Sequence, residues 1–365
     1  MRFTHAIFGA LLAAATVFPS TSRATVKVVT TQETYAAIAR EVGGDLVTAE
    51  SIVPGNADAH FVKPKPSYAL MLRDADLFVS TGLDLELWAP VLVNKSGNRQ
   101  IGDGAIGYVA AAQGIDLLEK PASLDRSAGD VHIYGNPHIQ TSPINVAVIA
   151  RNIATGLCKV DPGQCDAYRA NLSSFTDELS RRLYGGRLVE LLGVDTLDPL
   201  ARSGRLVPFL EEKGYAGEIG GWLAEGMSFR GRQLVCYHKN WIYFTTLFGL
   251  DVAGFVETKP GIPPTARHVA ALIDRIEADD IGVLLAANYF ERSKPQMIAD
   301  RTGIVPVVVP MSVEAASGVA TYFDLVDLWV QSLRDAYATA DAAHPERTKR
   351  HHGEHHGEHH ADEHH

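Results

Sequence analysis

Residues 26–54 read VKVVTTQETYAAIAREVGGDLVTAESIVP. A short β-branched stretch, 26–30, reads as a strand, and residues 33–42 read as a helix stopped by Gly43-Gly44. A second strand candidate, 46–53, ends at the Pro54-Gly55-Asn56 loop. Strand, helix, strand is the repeating unit of an α/β protein, and the rest of the chain continues it. Ser67 is placed to cap a helix holding Leu70 and Met71, 75–80 returns as a strand, and the first lobe runs on to a helix beginning near Pro143. Residues 166–183 read as one long helix, with Tyr168, Leu172, Phe175, Leu179 and Leu183 spaced by four, three, four and four. Such a stripe suits a connector lying along both lobes. Strands at 233–237, 252–257, 282–287 and 305–309 then alternate with helices starting near Pro264 and Ser293, and a last helix covers 322–337. The expected fold is α/β with two lobes, each a mostly parallel sheet flanked by helices, joined by one long connector helix.

The expected divisions are an N-terminal lobe at 25–157, the connector at 158–184, and a Gly- and Leu-rich variable insertion at 185–232 with no assigned chemistry. A C-terminal lobe follows at 233–340 and a tail at 341–365. Residues 1–24 read as a secretory signal peptide. Arg2 supplies positive charge, 7–18 form an apolar run, and Ser22-Arg23-Ala24 offers small residues at the cleavage site. The run is shorter than the roughly 20 apolar residues of a spanning helix, so cleavage near Ala24 and a periplasmic location are expected, without stable membrane insertion. No Cys follows the signal, so no lipid anchor is expected. Losing Arg2 and Arg23 and no acid takes the formal charge from −10 to −12, which argues against nucleic acid as a partner. A monomer is expected. Of the 3 Cys, Cys158 and Cys165 flank a turn and are placed to pair, while Cys236 reads as a buried structural thiol.

Histidine is the unusual count. Of 15 His, eight fall in the terminal HHGEHHGEHHADEHH, 351–365, a stretch with no side chain able to build a core. That composition predicts a disordered tail binding Zn²⁺, Cu²⁺ or Ni²⁺ loosely. His5 lies in the signal, leaving His60, His132, His138, His238, His268 and His344. His268 and His344 read as solvated. His60, His138 and His238 each fall at a strand end or in the loop after it, the edge where open α/β folds bind ligands.

Four motifs then occur in order: VPGNADAHFVKPKP at 53–66, GDVHIYGNPHIQTSP at 129–143, YHKNWIYFTTLFGL at 237–250 and ETKPGIPPTARHV at 257–269. Together they resemble the periplasmic zinc and manganese substrate-binding proteins of ABC importers, the cluster A-I or periplasmic zinc-binding family, over roughly residues 26–335. The resemblance implies a protein that is not an enzyme, captures Zn²⁺ in an interlobe cleft and delivers it to the membrane permease of an ABC importer. It carries metal ligation onto His60, His138 and His238, a set that imidazole chemistry favours for zinc over manganese. His132, six residues before His138, reads as a bystander. Family members often place acids at positions that here read VVVPMSV, 307–313, and AANYF, 286–290, where Met311 and Ala287 cannot serve. Water is therefore expected in the fourth position, with Asp58, Glu257, Glu291 and Asp324 as protein alternatives. Two rival functions share these residues: a secreted three-His zinc hydrolase, and a periplasmic metal buffer or metallochaperone without a transporter. The first lacks an HExxH helix or a Gly-x-Ser-x-Gly elbow.

Overall fold

The computed structural model describes residues 25–120, 132–257 and 261–345; the expected signal peptide and the 351–365 tail lie outside them. Strand β1 (Val26–Gln32), helix α1 (Glu33–Gly43) and strand β2 (Val47–Val53) form the predicted opening unit. Helix α2 (Pro66–Arg73), β3 (Leu77–Ser80), α3 (Ala89–Ser96), β4 (Tyr108–Ala110) and α4 (Pro143–Val160) complete the first lobe. Ser67 does not cap α2. Lys65 holds that position without a side-chain bond, and Pro66 opens the helix, where its fixed φ and missing N–H are tolerated. β4 is too short, at three residues, to have stood out in the sequence.

The connector is α5 (Cys165–Tyr184), joined to the end of α4 by a Cys158–Cys165 disulfide. Its stripe is buried at Tyr168, Phe175, Leu179 and Leu183. The region after it folds into four short helices: α6 (Gly186–Leu192), α7 (Val194–Arg202), α8 (Leu206–Glu212) and α9 (Gly221–Gly226). Gly221, at φ +57°, marks a close crossing, since a Cβ there would stand 2.0 Å from the Arg182 carbonyl oxygen. Arg202 on α7 donates to Asn145 Oδ1 (2.9 Å) and to the Ile144 carbonyl (3.3 Å). The segment thus braces the start of α4.

The second lobe comprises β5 (Gln233–Cys236), α10 (Ile242–Phe248), β6 (Asp251–Phe255), α11 (Ala266–Ala278), β7 (Val283–Ala287), α12 (Ser293–Thr302) and β8 (Val305–Val309). Helix α13 (Tyr322–Ala343) closes it, with Thr321 and Asp324 forming a reciprocal capping box. All pairings are parallel, in the orders β2-β1-β3-β4 and β6-β5-β7-β8. In each sheet the first strand runs inside, its successor lies on one side and the later strands on the other. The chain direction therefore reverses beside β1 and beside β5, and a crevice opens at the carboxyl ends of those strands.

Alternation along the strands separates two faces in each sheet. Val28, Leu77 and Val79 of one and Leu234, Val283 and Leu285 of the other enter a single apolar cluster spanning both lobes. Val29 and Phe78 face a smaller outer cluster, as do Val235 and Leu284 on the far side. The shared cluster includes Trp241, Phe244, Tyr322 and Trp329, all fully buried. Each such side chain contributes on the order of 2–3 kcal/mol by burial. The lobes are thus welded by common packing, and the cleft between them is a feature of a stiff frame. Among the described residues no helix is long and apolar enough to cross a membrane.

Candidate metal centre

His60 sits in the loop after β2. The turn Ala57 N–H to the Pro54 carbonyl (3.0 Å) starts that loop, and the Trp88 indole N–H holds the Ala59 carbonyl at 2.7 Å. Gly55 lets the loop reach the other lobe, because a Cβ there would lie 2.1 Å from the Val313 carbonyl oxygen. Asp58 Oδ1 accepts from both the His60 backbone N–H (3.0 Å) and ring Nδ1 (2.6 Å). Burial works to raise the Asp58 pKa, but its bonds to His60 outweigh that and leave the carboxyl below its usual range. The carboxylate therefore holds Nδ1 and leaves His60 Nε2 turned away from Asp58, toward the other rings.

His138 repeats the device. Asn136 Oδ1 accepts from the His138 backbone N–H (3.0 Å) and from Nδ1 (2.9 Å). The Asn136 amide in turn donates to the Lys239 carbonyl (2.5 Å) and to Glu119 (2.8 Å), while Tyr243 Oη–H donates to the Asn136 carbonyl (2.6 Å). One side chain thus ties the His138 loop to the segment bearing His238. His138 is 3% exposed, and its Nε2 is a buried atom without a hydrogen-bond partner. His238 follows β5, is 4% exposed, and directs Nδ1 at the Glu257 carbonyl, 3.4 Å away. In all three rings an oxygen faces Nδ1 and Nε2 is left for a ligand, the arrangement that orients metal-binding imidazoles.

The structure brings the three predicted residues together and adds a fourth. The fourth is His132, whose Nε2 lies 3.3 Å from His60 Nε2. Ring centroids are separated by 5.2 Å for His60–His132, 5.3 Å for His60–His138, 6.0 Å for His132–His138 and 6.3 Å for His138–His238. Burial, then mutual repulsion with His60, pushes the pKa of His132 down to about 3 and of His238 to about 4; burial pushes His138 well below the usual value. Those shifts keep the three imidazoles neutral, the form able to bind a metal, at any pH near neutrality. Among the described residues no three His, Cys, Asp or Glu meet the geometry of a formed metal site, so the rings are gathered rather than clamped.

The other candidates fall elsewhere. Asp58 is spent on orienting His60, Asp324 caps α13, and Glu291 is exposed. Glu257 is buried near the cleft, where desolvation raises its pKa and backbone N–H groups of Gly261 and Ile262 hold its carboxyl. Met311 borders the cavity but its sulfur accepts from Asn240 Nδ2 (2.9 Å) and Tyr289 Oη (3.5 Å). Cys236 is a free thiol in the shared core, its pKa driven well up by burial, which leaves no thiolate to bind metal. His268 is half-buried rather than solvated, with Nε2 2.8 Å from the Phe255 carbonyl. The cavity beside His60 and His138 measures about 30 Å³, room for an ion or a water rather than an organic molecule.

Sequence reasoning missed Asn136 and did not place His132 beside His60. A signal for the first was present: Asp58-Ala-His60 and Asn136-Pro-His138 share one spacing, an oxygen-bearing side chain two residues before the imidazole.

Fold and site define a two-lobed α/β binding protein with an imidazole-lined cleft at the strand ends of both lobes. The profile of the family described as "ZnuA: Zinc-uptake complex component A periplasmic" matches residues 28–182 and 218–336, and the chain belongs to that family. The unmatched stretch between them carries α6, α7 and α8. The manganese ABC transporter substrate-binding lipoprotein PsaA of Streptococcus pneumoniae is 30% identical over 183 residues, 49% of this chain and 56% of its own length. The metal ABC transporter substrate-binding lipoprotein FimA of Streptococcus parasanguinis is 31% identical over the same shares. The chain spans about half the length of the curated relatives it matches. A crystal structure of ZnuA, 21% identical, superposes with a TM-score of 0.63 over 86% of this chain and 99% of that one. The Mn-bound periplasmic metal binding protein from Candidatus Liberibacter asiaticus, 17% identical, gives 0.61 over 85% and 99%. These structures share the fold.

Proposed function

We propose that this protein captures Zn²⁺ in the interlobe cleft through His60, His138 and His238 and delivers it to the membrane permease of an ABC importer. The observation that carries this reading is the common construction of the three sites: buried rings from two lobes, each with Nδ1 facing an oxygen and with Nε2 either unpartnered, as in His138, or met only by another imidazole, as in His60. Zinc is favoured over manganese because the proposed ligands are imidazoles, and of the second-lobe acids considered Glu257 and Asp324 are engaged and Glu291 is exposed. A cavity of about 30 Å³ favours an ion as cargo and disfavours the hydrolase reading, which needs space for an organic substrate. Export through a signal cleaved near Ala24 would place a monomeric protein in the periplasm.

Calorimetric titration of the full chain tests the reading. One tight Zn²⁺ equivalent is expected, lost on His138→Ala, with Mn²⁺ unable to displace it at equal concentration. Tight binding that survives His138→Ala but vanishes on removal of 351–365 would replace the cleft by the tail and favour a metal buffer.

A further inference from the structure

We propose that His132 supplies the fourth ligand, so that the cleft closes on the metal with four imidazoles and no water. The inference rests on the metal-capture reading above and concerns how that site is completed. A tetrahedral zinc with Zn–N bonds of about 2.05 Å holds its nitrogens about 3.3 Å apart and its imidazole centroids about 5.2 Å apart. The His60–His132 pair already stands at that edge: 3.3 Å between Nε2 atoms and 5.2 Å between rings. His60–His138 matches at 5.3 Å, while His132–His138, at 6.0 Å, and His138–His238, at 6.3 Å, are wider by about 1 Å than such a site requires.

The hydrogen bond between the two rings has a defined direction. His60 commits its Nδ1–H to Asp58, so its Nε2 can only accept, and His132 Nε2–H donates. One proton thus occupies the position between two nitrogens that a cation would take. On metal binding that proton leaves His132 Nε2 and the neutral ring carries one on Nδ1 instead, with no net change in charge. The loop is shaped for this double contribution. The Gly135 N–H bonds the His132 carbonyl (3.1 Å) at φ +122°, folding the chain so that residues 132 and 138 both reach the cluster. A Cβ at Gly135 would stand 2.9 Å from the Leu118 carbonyl oxygen, so the turn requires glycine. Among the described residues Asp58, Asp324 and Glu257 are engaged elsewhere and Glu291 is exposed.

Zinc K-edge X-ray absorption on the full chain, loaded with less than one equivalent so that the tail stays empty, reads the ligand count. Four imidazoles and no oxygen ligand are expected in the wild-type protein. His132→Ala should show three imidazoles and one oxygen, with affinity lower by roughly 100-fold, the lower end of what losing one of four ligands costs, because water takes the vacated place. A wild-type spectrum with three imidazoles and one oxygen overturns the proposal whether or not the variant folds, as does a His132→Ala spectrum and affinity equal to wild type. In both cases a tight equivalent still lost on His138→Ala leaves the capture reading standing. A wild-type chain that binds no zinc tightly, and is indistinguishable from His138→Ala, overturns both.

Discussion

The two lobes share a strand order and a crevice at the same edge, yet they equip the candidate centre differently. In the first lobe the rings of His60 and His138 are each locked by a side-chain oxygen two residues upstream, at 2.6 and 2.9 Å. In the second, His238 has only the Glu257 main-chain carbonyl, at 3.4 Å, and the nearby Met311 brings a sulfur already engaged by Asn240 and Tyr289. Preorganisation is thus concentrated in one lobe. The second lobe contributes one imidazole and a wall, held in place through Asn136 and the apolar cluster common to both.

The comparison breaks first at the ligands. Structural zinc sites bind with about 10–16 kcal/mol spread over four ligands, so losing one costs on the order of 10²- to 10³-fold. His60→Ala is expected at the upper end, because it also leaves the half-buried Asp58 carboxylate without its partner. His238→Ala is expected at the lower end. Competition titration against a chelator of known affinity measures both, and equal losses would contradict the unequal division.

A smaller effect should follow from the groups behind the rings. Asn136→Ala removes the anchor of His138 and the tie to Lys239 together, so a loss of about 10- to 100-fold in zinc affinity is expected with the ligand set intact. Retention of wild-type affinity would show that packing alone holds the ring.

The smallest effect is on acid stability. His132 and His238 have folded-state values near 3 and 4, below the roughly 6.5 of an unfolded chain. Between those limits the unfolded chain binds more protons than the folded one, so stability falls as pH drops from about 6.5 toward 4. Thermal melts of the metal-free protein should show that decline, and His238→Ala should make it shallower. A melting temperature flat across the window would contradict burial as the cause.

Much of this was legible in the chain. The opening strand–helix–strand unit, the spacing of Tyr168 to Leu183 and the strand-end positions of two histidines follow from local rules of periodicity and helix termination, which act over a few residues. His60 and His238 stand in the loops just after β2 and β5, while His138 lies far along the loop after β4, just before α4. The cap of α2 was misread because Ser67 has the right chemistry and Pro66 the better backbone. His268 was taken as solvated because its bond to the Phe255 carbonyl joins a helix to a strand.

What the sequence determined by itself is the α/β alternation and the residue types offered at the cleft, since both depend on neighbours along the chain. What only the tertiary structure decided is which of those residues meet. His132 lies 72 positions from His60 and reaches it through the turn at Gly135, and Asn136 finds Lys239 across 103 positions. Such contacts depend on how two sheets pack over a shared core, and no local pattern encodes that distance.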